Sequence, residues 1–579
     1  MSGRLVLFSD ARQLVRHTLE AGDQLVPLRD DAHDDLPADL RARVVPLPDL
    51  GVLQAEALAL AFDTARDIVA RLDDDPAWRA LLRYREYDLR PMAIKNVFFA
   101  LEDAARLYRI AQVASALPEM SARLLDSDPA VGRAVRAALP GASAQADYRQ
   151  EARQAARQRL SPVGRFARDR WRAWRGQNPP TSHDRPVIAF LDAPHRARIM
   201  ARTLGRLAAD HPVHIARLGT WDWPADLPLR PAASYAWDAC MPPGAGARIA
   251  RHVLGTRART DPARFGLAQI AWLPPGLLGT LRYDDMQRYA NMIEALEGLA
   301  HAQRPALWIT LEDLFAFGKC AAAVGERGGI PTLNVQHGII GAYPYRTGID
   351  VVGTFAAFGE ASRETLIARG ADPARIVVTG PVRYDDILEL QPDRDALLRG
   401  ARLDPARPVV LFASQPARRL ITPGIKRTAL RALLAAAEQV GAQVVIKAHP
   451  LEDDPALEGY GVPVVRGQLY EWLLACDVLA TISSTVVYEA ALAERPALAL
   501  EWSGNPDVGE YVAHGIALLP GQPEQVGEAL RRLLHDGPTR AALLAAQRAF
   551  VARHLAGNDG KASERLAAVA KQLMGVQSG

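Results

Sequence analysis

From residue 185 onward, short apolar runs alternate with longer helical segments, and no other feature of the sequence constrains the fold as much. A first series of runs lies at 185–193, 211–218, 305–311, 330–338, 351–359 and 374–380. A second series follows at 407–414, 443–450, 461–467, 476–484 and 495–502. Short buried strands that alternate with helices of about 10–15 residues are typical of parallel sheets. The pattern predicts an α/β fold with two Rossmann-like domains and a cleft between them.

Four regions follow from this pattern. Residues 1–150 begin with a small α/β segment and continue as an α-rich N-terminal region. Residues 151–184 are predicted to form a basic amphipathic helix and a linker. Residues 185–390 and 391–579 are predicted to be the two Rossmann-like domains, because each holds one series of strand candidates.

Composition argues against several classes of protein. The 579 residues carry a net charge of only +3, which gives no reason to expect nucleic acid as a partner. Cys240, Cys320 and Cys476 are far apart and lack CxxC spacing, so we expect neither a disulfide framework nor a zinc site. We also expect no secretory signal and no membrane span, since no stretch reaches about 18 uninterrupted apolar residues. A reducing cytoplasm is the expected compartment.

Several catalytic motifs are absent from the sequence. There is no GxxxxGK[ST] phosphate loop and no GxSxG nucleophile elbow. The DxD triplet that begins at Asp126 is followed by Pro129 and a helical pattern, so it is typical of a helix start. We therefore expect no metal ion and no cofactor.

Three hydroxyl side chains follow the predicted strand at 478–482. Ser483, Ser484 and Thr485 come directly after it, and the segment VVYEAALAE after them has helical spacing. Hydroxyls at this position cap the free N–H groups of a helix. The same N–H groups and the helix dipole also bind anions. From these residues alone, a plain helix cap and a phosphate site both remain open.

The segment VVIKAHP ends a predicted strand in Lys447, His449 and Pro450. This strand belongs to the same predicted sheet as the serine turn, and ligands of open α/β sheets bind at the carboxyl ends of strands. Lysine is rare in this arginine-rich chain, and proline fixes the turn that follows. Lys447, His449 and the hydroxyl turn together predict a cradle for phosphate.

In the first Rossmann-like domain, the strand at 330–335 ends in Gln336, His337 and Gly338. His337 is a candidate general base, because the reference pKa of histidine lies near neutrality. The alternative is a buried histidine that serves the structure alone.

These motifs occur in an order that resembles a known group of enzymes. QHG, then TGPVRYD at 379–385, then IKAHP, then ISSTVVYEAALAERPAL resemble the GT-B glycosyltransferases that build bacterial surface polysaccharides. The relatives meant are capsule Kdo transferases, polysialyltransferases and CDP-glycerol glycerophosphotransferases. The resemblance covers roughly residues 185–575, and each motif by itself is short.

For the second domain, the resemblance implies a nucleotide-donor site. His449 with Pro450 would contact the phosphate of the donor, and Ser483 and Ser484 would bind phosphate as well. Glu489 would be the carboxylate that binds the ribose.

For the first domain, the resemblance implies an acceptor site. His337 would be the catalytic base, although glycerophosphotransferases usually have tryptophan where this chain has Gln336. An acidic pair before glycine is the acid/base of polysialyltransferases. Here Glu312 and Asp313 form such a pair, but Leu314 replaces the glycine, so the pair is a second base candidate.

The expected function is that of a metal-independent GT-B glycosyltransferase. It would transfer a sugar, preferably Kdo or a nonulosonic acid from a CMP-activated donor, to a glycan or lipid-linked acceptor of the bacterial surface. The alternatives are a glycerol- or ribitol-phosphate transferase with a CDP-activated donor and a UDP-sugar 2-epimerase. A non-enzymatic scaffold that docks on membrane-bound synthases is a fourth possibility.

A basic helix is predicted at 153–175. Residues 151–177 hold eight arginines against two acids, together with Phe166, Trp171 and Trp174. Such a helix can lie on an anionic membrane, with arginines at the headgroups and aromatic rings at the acyl boundary. The enzyme would then be peripheral on the inner face of the plasma membrane. The alternative is a solvated helix whose aromatic rings pack on a neighbouring domain.

Overall fold

A computed structural model of the chain describes most, but not all, of its residues. The described residues are 4–10, 13–14, 17–28, 36–45, 50–115, 121–126, 128–144, 184–274, 276–311, 316–338, 340, 353–416, 421, 423–449, 452, 455–467, 469–502, 511–557 and 559–575. The predicted basic helix at 153–175 lies outside them, as do Glu312, Asp313 and Pro450. No helix in the described ranges is long and apolar enough to cross a membrane.

The N-terminal region combines a small parallel sheet with long helices. Its strands are β1 (Arg4–Phe8), β2 (Gln24–Pro27), β3 (Arg83–Tyr84), β4 (Tyr87–Asp88), β5 (Ser121–Leu124) and β6 (Ser143–Ala144). Its helices are α1 (Ala38–Arg41), α2 (Leu50–Asp74), α3 (Pro76–Leu81), α4 (Arg90–Ser115) and α5 (Pro129–Ala138). The sheet has the order β2-β1-β5-β6, and β3 and β4 form a separate antiparallel pair.

The first Rossmann-like unit has a seven-stranded parallel sheet in the order β13-β12-β11-β10-β7-β8-β9. Its strands are β7 (Val187–Leu191), β8 (Val213–Arg217), β9 (Ala233–Ala236), β10 (Leu307–Thr310), β11 (Thr332–Val335), β12 (Thr354–Ala357) and β13 (Ile376–Val378). Its helices are α6 (Pro194–Leu207), α7 (Ala245–Gly255), α8 (Leu277–Thr280), α9 (Met286–Gln303), α10 (Ala316–Gly328) and α11 (Glu360–Ala368).

The second unit has a five-stranded parallel sheet in the order β16-β15-β14-β17-β18. Its strands are β14 (Val409–Ala413), β15 (Gln443–Lys447), β16 (Val464–Val465), β17 (Val478–Thr481) and β18 (Ala497–Ala499). The helices after the first unit are α12 (Arg394–Gly400), α13 (Pro423–Val440), α14 (Leu469–Ala475), α15 (Val486–Leu492), α16 (Val526–His535), α17 (Gly537–His554) and α18 (Ala562–Leu573).

The burial of the central strands explains why the strands could be predicted from the sequence. Every residue of β7 and every residue of β14 is buried, because helices cover both faces of each sheet. Such strands must be apolar along their whole length, which produces the runs that alternate with helices. The prediction of an α/β fold with two parallel, Rossmann-like sheets and an α-rich N-terminal region is confirmed.

The N-terminal helices are built onto the first sheet. Trp78 and Phe98 lie in the same apolar cluster as Phe190 and Trp308 of the sheet. The indole N–H of Trp78 donates to the carbonyl of Arg259 at 2.7 Å. The N-terminal region and the first Rossmann-like unit therefore share one core.

The last helix of the chain, α18, returns to the first sheet. Leu566 and Ala570 pack in the apolar cluster that contains Val187 and Met200. Asp385 accepts hydrogen bonds from the first N–H groups of α18, at 3.0 Å from Ala562 and 2.7 Å from Ser563. Asp385 belongs to the short helical segment Val382–Leu388 that connects the two units. This segment therefore anchors the C-terminal helix.

Candidate active site

The carboxyl edge of the second sheet brings two of the predicted motifs close together. Lys447 ends β15 and Thr481 ends β17, and both are in register with Ala413 of the central strand β14. Neighbouring strands lie about 4.8 Å apart, so the two strand ends are separated by about 10 Å. The Lys447–His449 turn and the serine turn therefore share one edge of the sheet, as the sequence predicted.

Lys447 is buried and is bonded within its own turn. Its Nζ donates to the carbonyl oxygen of Ala448 at 2.6 Å, and the residue is only 5% exposed. Burial lowers the pKa of Lys447 from its ordinary value, and the nearby carboxylate of Glu452 acts in the opposite direction. Lys447, which the sequence predicts to bind phosphate, is thus a desolvated cation that already has one hydrogen-bond partner in the protein.

The serine turn is also held from within. The backbone N–H of Ser483 donates to Oε1 of Gln415 at 2.9 Å. Oγ of Ser484 accepts from the N–H of Val486, the first residue of α15, at 3.3 Å. Thr485 is exposed and its side chain makes no cap hydrogen bond. Because α15 has only seven residues, its dipole contributes little to an anion site.

Glu489 lies on α15 behind this turn and faces a cation from the connecting segment. It is 1% exposed, and its Oε1 lies 3.4 Å from a guanidinium nitrogen of Arg383. Burial raises the pKa of Glu489, and Arg383 opposes that shift. Within the described ranges, Oε2 of Glu489 and Nε of Arg383 are buried without a hydrogen-bond partner. The pair joins the second unit to the segment Val382–Leu388.

His337 lies at the carboxyl edge of the first sheet, directly after β11. Burial is the main cause that lowers its pKa to about 3, and the charges of Arg196, Arg383 and His195 contribute to the same shift. The imidazole is therefore neutral at physiological pH and able to accept a proton. A bound anion beside the two arginines would raise the pKa of His337 again, because it would offset their charge.

Gln336, beside it, has a structural role. Its Oε1 accepts from the N–H of Phe358 at 2.7 Å, while its Nε2 donates to the carbonyl of Gly338 at 2.9 Å. A second bond from Nε2 reaches Oγ of Ser362 at 3.1 Å. Gln336 thus fixes the turn that presents His337.

Arg196 comes from the first turn of α6, after β7. Its Nε lies 3.1 Å from a carboxylate oxygen of Asp192 in an ion pair, without hydrogen-bond geometry. Its Nη1 is buried and has no hydrogen-bond partner among the described residues. Ala193, the N-cap residue of α6, offers no side-chain cap. The start of α6 therefore adds a cation and uncapped N–H groups near His337.

Sequence reasoning assigned no role to His195, Arg196, Arg383 or Gln415. A signal was available for Arg196, since HRAR follows the buried strand VIAFLDA at a carboxyl end where ligands bind. Arg383 lies in the quoted TGPVRYD motif, yet arginine is too common in this chain for its type to be informative. Among the residues that the structure describes, no group of three or more His, Cys, Asp or Glu could hold a metal ion.

Together, the strand end of the first unit and the connecting segment gather charged side chains around His337. The first unit contributes His195, Arg196 and His337, the connecting segment contributes Arg383, and the second unit contributes Glu489. Such an arrangement can bind an anionic ligand and hold a neutral imidazole beside it. Glu312, Asp313 and Pro450 remain sequence predictions, because they lie outside the described residues.

Comparisons with known proteins give distant structural likenesses. No protein-family model matches the sequence, and no curated protein matches it. The S. aureus MnaA–UDP structure has 14% identity and a TM-score of 0.45 over 68% of this chain and 98% of that one. The Neisseria meningitidis UDP-GlcNAc 2-epimerase bound to UDP-GlcNAc has 14% identity and a TM-score of 0.45, over 67% of this chain and 100% of that one. The wall teichoic acid polymerase TagF has 12% identity and a TM-score of 0.44, over 74% and 99%.

Proposed function

We propose that this protein is a GT-B-type transferase that moves a sugar from a nucleotide-activated donor to a surface-glycan acceptor. The observation that carries the proposal is a pair of half-buried arginines, Arg196 and Arg383, which have buried N–H groups without partners and whose charges act on His337. A buried donor without a partner costs about 1–3 kcal/mol. Phosphate and carboxylate oxygens satisfy a guanidinium particularly well, so an anionic substrate is the natural partner.

The favoured donor is CMP-activated Kdo or a nonulosonic acid. Such a donor has two anionic groups, a phosphate and a sugar carboxylate. In this proposal the phosphate lies against Lys447, His449 and Ser483, and the carboxylate lies against Arg196 and Arg383. The cations then stabilise the leaving nucleotide without a metal ion.

His337 and Glu489 take the remaining roles. The neutral imidazole of His337 removes the proton of the acceptor hydroxyl, because binding of the anionic donor raises its pKa toward a useful value. The unpartnered Oε2 of Glu489 accepts a hydrogen bond from the ribose. Glu312 and Asp313 are the second candidate for the base.

A glycerol- or ribitol-phosphate transferase is the nearest rival, since two sets of cations also match the two phosphates of a CDP-activated donor. The test is incubation with CMP-Kdo, a CMP-nonulosonic acid, CDP-glycerol, CDP-ribitol and UDP-GlcNAc, each with and without a glycan acceptor. Release of CMP that depends on acceptor supports the favoured function. Turnover of a CDP donor alone selects the rival, and epimerised sugar formed without acceptor identifies a 2-epimerase.

We also propose that the enzyme acts in the cytoplasm, at the inner face of the plasma membrane, through the basic helix predicted at 153–175. Each arginine near an anionic surface contributes roughly 1 kcal/mol, so binding should be measurable and sensitive to salt. Sedimentation with anionic liposomes is expected at low salt and should fade toward about 0.5 M, where charges are screened. Changing Arg165, Arg168, Arg172 and Arg175 to Gln should reduce it. A wild-type protein that ignores these liposomes at low salt would contradict the proposal.

A further inference from the structure

Behind the edge of the second sheet, one buried carboxylate ties three elements together. Oε1 of Glu452 accepts from Oγ of Ser414 at 3.0 Å and from Nζ of Lys426. Oε2 of Glu452 accepts from the backbone N–H of His449 at 3.2 Å. Ser414 follows β14, Lys426 lies on α13 and His449 follows β15. We call these four residues the Glu452 network.

The charges of this network are deeply buried. The side chains of Lys426 and Glu452 are 5% and 1% exposed. A buried ion pair contributes little more stability than an apolar pair of similar volume, because desolvation offsets the attraction. An apolar pair would therefore hold α13 against the sheet equally well. It would not accept hydrogen bonds from the hydroxyl of Ser414 or from the backbone N–H of His449.

The same carboxylate acts on the neighbouring strand end. Burial lowers the pKa of Lys447, the charge of Glu452 raises it, and the charge of Arg466 lowers it. Glu452 thus helps to keep the Lys447 ammonium protonated while it holds the turn that follows. Both effects concern the one strand end that the sequence predicted to bind phosphate.

We infer that Glu452, with Lys426 as its buried counter-ion, is a positioning residue that fixes the His449 turn beside Lys447 for nucleotide binding. The inference rests on the proposed function, because a nucleotide is taken as the ligand of this turn. The carboxylate acts through the backbone N–H of His449 and need not touch the ligand.

Two charge-balanced double variants test the inference. Lys426→Met with Glu452→Gln removes both charges and keeps an oxygen that accepts hydrogen bonds. Lys426→Met with Glu452→Leu removes both charges and the oxygen. Both are expected to fold, because neither leaves a buried charge unpaired. Both lose the effect of the carboxylate on Lys447, so their difference reports the acceptor oxygen alone.

The first measurement is affinity for CMP, CDP and UDP by calorimetry, with thermal unfolding as the check on folding. The glutamine variant is expected to bind its best nucleotide about 10-fold more tightly than the leucine variant, the scale of one or two hydrogen bonds. Equal affinities in two folded variants would overturn the inference, since a purely structural pair predicts that outcome.

The second measurement is hydrogen exchange of the peptide that contains the His449 amide, without any nucleotide. Faster exchange of this amide in the leucine variant than in the glutamine variant supports the inference, and equal exchange overturns it. If the wild-type protein binds none of the three nucleotides, the proposed function is contradicted. The exchange measurement then still decides whether Glu452 holds the turn.

Discussion

The two sheet edges differ in whether their polar groups have hydrogen-bond partners within the protein. At the second edge, Lys447 donates to Ala448 and the N–H of Ser483 donates to Gln415. At the first edge and the connecting segment, Arg196 and Arg383 keep buried N–H groups without partners in the described residues. The polar groups of the second edge are therefore already held by protein partners, whereas those of the first edge are available to a ligand.

This difference has an energetic meaning. Preorganised dipoles and cations stabilise charge without having to reorganise during the reaction. Unpartnered buried donors cost free energy in the empty protein, and an anion that binds them recovers that cost. We therefore expect the first edge to contribute more to ligand affinity per residue, although sequence reasoning assigned the phosphate site to the second.

The strongest test removes Arg383. Replacing Arg383 with Met takes away one cation of the cleft and leaves Glu489 buried without its partner. Loss of a charge-stabilising group from a site of this kind lowers the rate by about 10²–10³, so kcat/KM should fall about 1000-fold. Steady-state kinetics with the best donor measure this loss, and Arg383→Met combined with Glu489→Gln shows how much of it reflects the stranded carboxyl.

The matched control for Arg383 is Arg202→Gln. Arg202 contacts the same connecting segment through Asp386 and the residue after the segment, Glu389, but its side chain is 40% exposed. Exposed pairs contribute about 0–1 kcal/mol, so activity should stay within about 2-fold of the wild type. Similar losses in both variants would mean that the segment matters only as a structural connection.

A smaller effect is expected at the preorganised edge. Replacing His449 with Ala removes a side chain but leaves the turn held by Glu452 through the backbone. Turnover should fall about 100-fold, the scale of losing one charge-stabilising donor. His301, an exposed histidine of α9, gives the control, since His301→Ala should leave the rate unchanged. Full activity of His449→Ala would remove the donor phosphate from this strand end.

The burial of His337 at the first edge can be detected through pH as well. His337 has a pKa of about 3 in the folded protein against about 6.5 in an unfolded chain. Between these values the unfolded state binds a proton that the native state excludes, so stability falls as pH drops from 6.5 toward 3. His337→Gln should make the slope of the unfolding free energy against pH less steep, by the equivalent of up to one bound proton. Thermal unfolding at pH 7, 5 and 4 measures this change.

His554 offers the comparison for this experiment. Its pKa is lowered to about 4, mainly by burial, and its ring stacks on Phe550 within the second unit. His554→Gln should therefore flatten the pH dependence over a similar window without weakening nucleotide binding. His337→Gln should affect both. Parallel curves of stability against pH for His337→Gln and the wild type would show that the first edge does not lower the pKa of His337.

Sequence reasoning located strand ends well because they depend on a short-range pattern. Lys447, His337 and Ser483 all lie at carboxyl ends of parallel strands, where the alternation of runs and helices placed them. The pattern could not show that Nζ of Lys447 donates a hydrogen bond to the carbonyl oxygen of Ala448, since that bond depends on how deeply the strand end is buried.

The parts that the sequence left unpredicted depend on distant contacts. Glu452 meets Ser414 from 38 residues away, and Arg383 meets Glu489 from 106 residues away. The docking of α18 on the first sheet rests on Asp385, which lies 177 residues before Ala562. Helical spacing predicts that such a helix has an apolar face but does not say which sheet will cover it.

The smallest expected effect concerns metal ions. In the proposed complex, Lys447 lies against the leaving phosphate, and Arg196 and Arg383 lie against the sugar carboxylate. If Lys447 and its neighbours at the second edge neutralise the leaving phosphate, an added metal ion has no charge left to offset. Turnover measured before and after treatment with excess EDTA should therefore agree within about 2-fold, and the Arg383→Met variant should stay about 1000-fold less active than the wild type in both conditions. Loss of wild-type activity in EDTA, with recovery on adding Mg²⁺ or Mn²⁺, would show that the two edges do not suffice. The two edges would then position a nucleotide whose charge is stabilised by the bound metal ion.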